Sequence, residues 1–74
     1  MQVSILEPKG MVWEGNAKEV KLPTVDGEVC ILDFHQPFLM RLKKGSIVLS
    51  DRRTDIKDGI AFMRSNELKI FVET

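Results

Sequence analysis

Alternation of apolar and polar residues along the chain predicts short strands. In Gln2–Glu7 and again in Leu68–Glu73, apolar residues occupy every second position, as expected of strands with one buried face. Ser46–Ser50 has an apolar centre and is predicted as a further strand. No window of ten residues has a helical period, so the pattern predicts an all-β fold.

Turn residues divide the chain at short intervals. Glu7–Gly10 combines proline with glycine and is predicted as a turn, and the Asp26-Gly27 pair predicts another within the loop Pro23–Gly27. The remaining predictions are a strand from Met11 to Leu22 bent at Gly15-Asn16, a buried strand Val29–Leu32, an irregular piece Asp33–Gln36, a strand Phe38–Leu42, a turn Lys43–Gly45, a charged hairpin tip Asp51–Asp55, a strand Ile56–Met63 with a bulge at Asp58-Gly59, and a turn Ser65-Asn66.

About eight to ten short strands with frequent turns indicate a small two-sheet β-sandwich or flattened barrel. The 74 residues make one domain, residues 1–74. Eleven basic residues balance eleven acidic ones, so no overall field attracts nucleic acid or an anionic membrane. The longest apolar run, Ile60–Met63, is far too short for a membrane span, and the first ten residues lack a signal-peptide pattern.

Candidate chemistry is sparse. The single cysteine, Cys30, indicates a reducing compartment, and its apolar surroundings predict an inert core thiol. His35 has no partners at triad spacing, and Cys30, Asp33 and His35 are too few for a convincing metal site. We therefore expect no catalytic residue, no metal and no cofactor, although a thiol- or metal-dependent enzyme built on Cys30 and His35 is one hypothesis to test.

Nucleic-acid binding is a second hypothesis. Lys43-Lys44 and Arg52-Arg53 are basic pairs, but the chain has no tyrosine, and the four phenylalanines are predicted to belong to the core. A surface that binds single strands needs exposed aromatic residues beside basic ones. We therefore expect no nucleic-acid partner and keep a free-standing β-barrel for single-stranded nucleic acid as the alternative function.

Three stretches together resemble the ε subunit of rotary F-type ATP synthases. Ile5–Gly15 is similar to the opening of that family, and Asp58–Ile70 is similar to its last two strands. The central stretch resembles the family pattern LPG-x-x-GE-x-GIL-x-x-H-x-P-x-L-x-x-L-x-x-G, which is matched in register by Leu22-Pro23, Gly27-Glu28, Ile31-Leu32, His35, Pro37, Leu39, Leu42 and Gly45. The resemblance covers essentially the whole chain and corresponds to the family's N-terminal β-sandwich domain.

The chain also departs from the family pattern. Thr24 and Cys30 stand where the family has glycine, and Asp33-Phe34 replaces a Pro-Gly pair. The family continues into a helical hairpin after the sandwich. Nothing in the 74 residues resembles it, so we expect no C-terminal helical hairpin and carry over neither inhibition nor ATP binding.

The resemblance implies a non-catalytic central-stalk subunit that docks on the γ subunit and on the c-ring, coupling proton translocation to ATP synthesis. It implies a c-ring side formed by Asp26, Glu28 and His35, at one end of the sandwich. For the γ side the candidates are Met11, Phe38 and Met40. The implied location is peripheral, on the cytoplasmic face of the bacterial inner membrane, without direct membrane insertion. An isolated domain that lacks the hairpin is expected to expose apolar surface and to be able to self-associate.

Overall fold

Nine strands joined by short turns make up the computed structural model, which describes all 74 residues. The strands are β1 (Gln2–Glu7), β2 (Gly10–Asn16), β3 (Glu19–Thr24), β4 (Gly27–Leu32), β5 (Phe38–Leu42), β6 (Gly45–Leu49), β7 (Arg52–Ile56), β8 (Asp58–Arg64) and β9 (Glu67–Glu73). The predicted all-β fold and its strand number are confirmed.

The strands form one hydrogen-bonded path that curls into two layers. The order is β2-β1-β9-β8-β5-β3-β6-β7, and β4 is added to β3. Because β3 pairs with β5 only at Thr24 and Leu42, the path turns there from one layer to the next. We call β2-β1-β9-β8-β5 sheet I and β4-β3-β6-β7 sheet II. Only β1 and β9 pair in parallel.

An apolar core lies between the two sheets. In β9, Leu68, Ile70 and Val72 point inward and are almost fully buried, so the residues between them face solvent. Strands β1, β3 and β8 also place apolar residues inward at every second position, although Ser4 of β1 and Pro23 of β3, at intervening positions, are buried as well. The core consists of Met1, Val3, Ile5, Val20, Leu22, Ile31, Leu42, Ile47, Leu49, Ile56, Ala61, Met63, Leu68, Ile70 and Val72.

A cation–π contact connects the two sheets on the side of the sandwich opposite the pairing of β3 with β5. The Arg52 guanidinium carbon lies 5.5 Å from the ring centroid of Trp13, which joins the last strand of the path to the first. A Cβ at Gly15 would come within 2.7 Å of the Trp13 ring, so glycine is required to seat the indole. The predicted bend at Gly15-Asn16 is wrong: β2 runs through both residues, and the chain leaves the strand at Ala17-Lys18.

Two predicted loops are instead strand. Pro23 and Thr24 complete β3, which leaves only Val25-Asp26 as the turn before β4. Most of the predicted tip Asp51–Asp55 belongs to β7, which pairs with β6 along its whole length. Its exposed charges reflect an edge position, where charged side chains discourage pairing with a further strand.

The turns gather at two ends of the sandwich. The β3–β4 end holds the Val25-Asp26 turn, and backbone hydrogen bonds from Lys43 N to Pro23 O (2.8 Å) and from Lys57 N to Glu73 O (2.7 Å) bring other turns there. The β4–β5 end holds the N-terminus, the loop after β4 and the two-residue Ser65-Asn66 hairpin turn. Surface residues that lie at the same end of the sandwich are close enough to contact the same partner.

Candidate functional site

The outer faces of the two sheets differ in polarity. On sheet II, Lys21 lies between Cys30 and Val48 on the neighbouring strands. The Ser46 hydroxyl donates to Asp55 Oδ1 (2.5 Å), and Arg53 Nε donates to the same hydroxyl at 3.0 Å. The hydrogen bond from Ser46 lowers the pKa of Asp55. Apart from the exposed Leu32 at the end of β4, sheet II therefore presents a polar surface.

Sheet I presents an apolar surface to solvent. Cross-strand pairing aligns Leu39 with Phe62 in one row. The next row runs from Ile60 through Phe71 to Leu6 and Met11. We call this surface the apolar face: Leu6, Met11, Leu39, Ile60, Phe62 and Phe71. Leu39 is 71% exposed and Phe71 51% exposed, so large side chains lie in water without a covering element.

Charged pairs flank the apolar face. Arg41 Nη2 lies 3.4 Å from Asp58 Oδ2 near one edge, and Lys69 Nζ lies 3.5 Å from Glu67 Oε1 near the other. All four side chains are exposed enough to be hydrated, so each pair contributes little to stability. An apolar centre with a polar border is the composition expected of a protein interface.

Asp26 and Glu28, two of the residues assigned to the c-ring, lie together in the turn that joins β3 to β4. The Thr24 hydroxyl accepts the Asp26 amide hydrogen at 3.2 Å and donates to the Gly27 carbonyl at 2.6 Å. Thr24 is buried, so this turn is braced from inside the sandwich. The two carboxylates are exposed and held on an ordered backbone.

His35 does not share that end, which corrects the sequence analysis. It follows β4, whose six residues separate it from the Asp26 turn by about 17 Å at the ordinary rise per strand residue. Its Nδ1 lies 2.8 Å from the Gln36 carbonyl oxygen, and its ring meets Phe38 edge to face at 5.2 Å. The register of the β3–β4 hairpin, which the sequence pattern leaves open, is what separates them.

The three residues predicted for the γ side have different positions. Met11 is exposed on the apolar face. Phe38 and Met40 are half-buried and pack against the core, because the alternation in β5 sends Leu39 and Arg41 outward instead. Leu39 is therefore an exposed residue that the sequence pattern did not single out, and the prediction that all four phenylalanines belong to the core is wrong. The alternation in β9 could have indicated this, because Phe71 lies between the inward-facing Ile70 and Val72 and therefore faces outward.

Cys30 is exposed, which corrects the predicted core thiol. The alternation of β4 points its side chain outward beside Lys21, and only Ile31 of that apolar run is buried. Partial desolvation and the nearby Glu19 carboxylate raise the pKa of Cys30. At neutral pH the thiol therefore stays protonated and weakly nucleophilic.

A raised pKa predicts slow alkylation of Cys30. We expect iodoacetamide at pH 8 to modify it severalfold more slowly than the same cysteine in a short peptide, with the rate rising as the solution becomes more alkaline. Glu19→Gln should accelerate the reaction because it removes a negative charge from the thiolate. A rate equal to that of the peptide, followed by mass spectrometry, would contradict the assigned environment.

The side chains considered for metal binding do not converge. Asp33 is paired with the α-ammonium group of Met1, whose side chain is buried. Cys30 points outward from β4, and His35 packs on Phe38. No group of three histidine, cysteine or acidic side chains is close enough to hold a metal ion. The surfaces with functional potential are therefore the apolar face and the two ends.

Comparison with known proteins matches this domain over its whole length. The family described as "ATP synthase, Delta/Epsilon chain, beta-sandwich domain" matches residues 1–74. The ATP synthase epsilon chain of Aquifex aeolicus (strain VF5) is 43% identical over 61 residues, covering 82% of this chain and 44% of the relative. The chloroplastic epsilon chain of Tetradesmus obliquus is 31% identical over 74 residues, covering 95% of this chain and 54% of the relative.

A solved structure shares the fold. It is the central stalk and c-ring of the Tetrahymena thermophila mitochondrial ATP synthase, with a TM-score of 0.83 at 14% identity over 100% of this chain and 63% of that one. The chain spans about half the length of the two epsilon chains. With a family match from the first residue to the last, the chain belongs to the ATP synthase delta/epsilon family and comprises its β-sandwich domain.

Proposed function

We propose that this domain is a non-catalytic central-stalk subunit of a rotary ATP synthase, docking on the γ subunit and on the c-ring. The observation that carries the proposal is the uncovered apolar face of sheet I in a member of this family. The same assignment implies a peripheral position at the cytoplasmic face of a bacterial inner membrane. The structure contains no helical segment with the length and apolar composition that a membrane span requires.

The γ subunit is the partner that we assign to the apolar face. The domain measures 27 × 26 × 22 Å, so one whole face offers roughly 700 Å², close to the area of about 800 Å² per partner that a stable interface buries. Its exposed aliphatic and aromatic side chains would supply the desolvated centre, and the Arg41–Asp58 and Lys69–Glu67 pairs would form the rim.

The c-ring is assigned to the β3–β4 end. Asp26 and Glu28 are exposed there on a turn braced by Thr24, which suits contact with polar loops of a partner. His35 lies at the opposite end and is therefore withdrawn from this surface. Transmission of torque between the two partners requires a stiff body. Here 38 of 44 backbone–backbone hydrogen bonds lie within the strands, which supports that role.

Glu28→Lys is expected to weaken the coupling of ATP hydrolysis to proton pumping. If Glu28 meets a cationic or donor group of the c-ring, reversing its charge costs on the order of 2 kcal/mol of docking free energy. We expect less proton pumping per ATP hydrolysed in membrane vesicles that carry the assembled complex, with the isolated domain equally stable.

The matched control is Glu19→Lys. Glu19 is also an exposed carboxylate of the β3–β4 hairpin, but it pairs with Leu32 at the far end. It should leave coupling unchanged. Equal coupling in the Glu28→Lys and wild-type complexes would show that this turn is not part of the c-ring surface. The proposed function itself would be contradicted if a folded wild-type domain recovered no γ subunit in a pull-down.

One observation favours the alternative, a binding module for single-stranded nucleic acid. Phe62 is exposed and lies directly across from Lys69, as in a stacking platform. However, Lys69 is paired with Glu67 and Arg41 with Asp58, so the nearby cations are largely neutralised. Titration of the domain with oligonucleotides at two salt concentrations tests this alternative. Binding to single strands should weaken steeply as the salt concentration rises, and a flat titration would rule the alternative out.

Self-association of the isolated domain follows from the same surface. Without a partner, two copies would meet through the apolar face, because sheet I exposes a cluster of large apolar side chains and sheet II exposes only one, Leu32. This prediction concerns the free domain only, and docking on γ would compete with it.

A further inference from the structure

Phe34 combines exposure with an unfavourable backbone. It lies in the loop after β4 at φ 62°, in the left-handed region that bulky residues rarely adopt. Its side chain is 80% exposed, the most exposed large apolar residue of the chain. The ring therefore gains almost no packing in return for the backbone strain. Strain that persists without a packing reason points to a functional constraint.

A hydrogen bond holds this conformation. The Phe34 amide donates to Asn66 Oδ1 at 2.8 Å. Asn66 is itself left-handed at φ 56°, and its backbone carbonyl accepts the Gln2 amide at 3.1 Å. The next residue, His35, donates its amide to the Leu32 carbonyl at 3.2 Å. The loop is thus bonded to the β8–β9 turn, which is itself bonded to β1, and to its own strand β4, so the position of the Phe34 backbone is fixed.

The β8–β9 turn, which is bonded to the Phe34 loop, belongs to the same hairpin that carries much of the apolar face. Asn66 lies in the two-residue turn between β8 and β9, and these strands carry Ile60, Phe62 and Phe71. From Phe62 to the turn is three residues, or about 10 Å along the strand. A partner that covers the apolar face and continues past this turn would meet Phe34. The β3–β4 end lies on the far side.

We propose that Phe34 is an anchor residue that inserts into an apolar socket of the γ subunit, extending the apolar face beyond the β8–β9 turn. This inference rests on the proposed function. The family pattern has glycine at this position, which suits the left-handed backbone and offers no side chain. The anchor is therefore a specificity feature of this chain. It would favour a γ subunit whose surface has a cavity of aromatic size.

Substitution by residues that tolerate the left-handed backbone tests the anchor. Phe34→Gly and Phe34→Asn should keep or raise the thermal midpoint, because both relieve strain. Both should weaken binding to the γ subunit from the same organism by about tenfold or more, as expected for loss of an aromatic hot spot. Phe34→Tyr should retain most of the affinity. Val25→Asn, a matched loss of an exposed apolar side chain at the β3–β4 end, should leave it unchanged.

The outcomes separate the anchor from the proposed function. If wild type binds γ and the glycine and asparagine variants bind equally well, the anchor is wrong while the docking assignment stands. If both variants lose stability in parallel with affinity, Phe34 has a structural role and the anchor is again wrong. If folded wild type does not bind γ at all, the proposed function fails first.

Discussion

Phe71→Lys is expected to weaken binding of γ to this domain by about 100-fold or more while the domain stays folded. Phe71 lies near the centre of the apolar face, between Leu6 on β1 and Ile60 on β8. Docking would bury its ring, and a lysine there would remove apolar contact and bring an unpaired charge into the interface, together about 3 kcal/mol or more. Isothermal titration calorimetry with purified γ measures the change.

The stability of the Phe71→Lys domain should change little, because the side chain points away from the core. The control is Val25→Lys, which places the same charge on an apolar residue that is 61% exposed but lies outside the apolar face. Its affinity for γ should equal that of wild type. Similar affinities for the two variants would mean that γ docks elsewhere.

Ile70→Ala is expected to lower the free energy of unfolding by about 3 to 4 kcal/mol. Ile70 is fully buried in β9, between Ile5 on β1 and Ala61 on β8. Since Ala61 is already small, β8 offers no side chain that could fill the cavity, and Ile5 on β1 is already packed in the core. A domain of this length has roughly 4 to 11 kcal/mol of stability in total, so the loss is a large share of it.

Ile60→Ala is the matched control for this measurement. It removes the same atoms from the adjacent strand, but its side chain is 47% exposed on the outer face. We expect its urea midpoint to shift much less than that of Ile70→Ala. Equal shifts for the two variants would contradict the assignment of inner and outer positions in sheet I.

Local patterns predicted much of the fold. The alternation in Gln2–Glu7 and Leu68–Glu73 identified β1 and β9, and three short segments, Pro8-Lys9-Gly10, Asp26-Gly27 and Ser65-Asn66, marked three of the hairpin turns. Such features act over a few residues, so the sequence carries them directly. The match in register around Gly27-Glu28 and His35 also pointed to the family that the comparisons identify.

Long-range features were not predictable in the same way. His35 and Glu28 are close in sequence, yet the β3–β4 pairing places them toward opposite ends of a strand. The apolar face exists because β1, β8 and β9 are neighbours, which depends on the parallel pairing of β1 with β9. Phe62 was predicted to be core, and the outward position of Leu39 was missed, because hydrophobicity alone does not report which face of a strand a residue occupies.

The most direct test of γ docking is a methyl NMR titration of the labelled domain with γ. The Ile60 and Leu39 signals report on the apolar face, the Ile47 signal on the core, and the Val25 signal on the β3–β4 end. Docking as proposed predicts that Ile60 and Leu39 shift or broaden as γ is added, while Val25 does not. Unchanged Ile60 and Leu39 signals at saturating γ would contradict it.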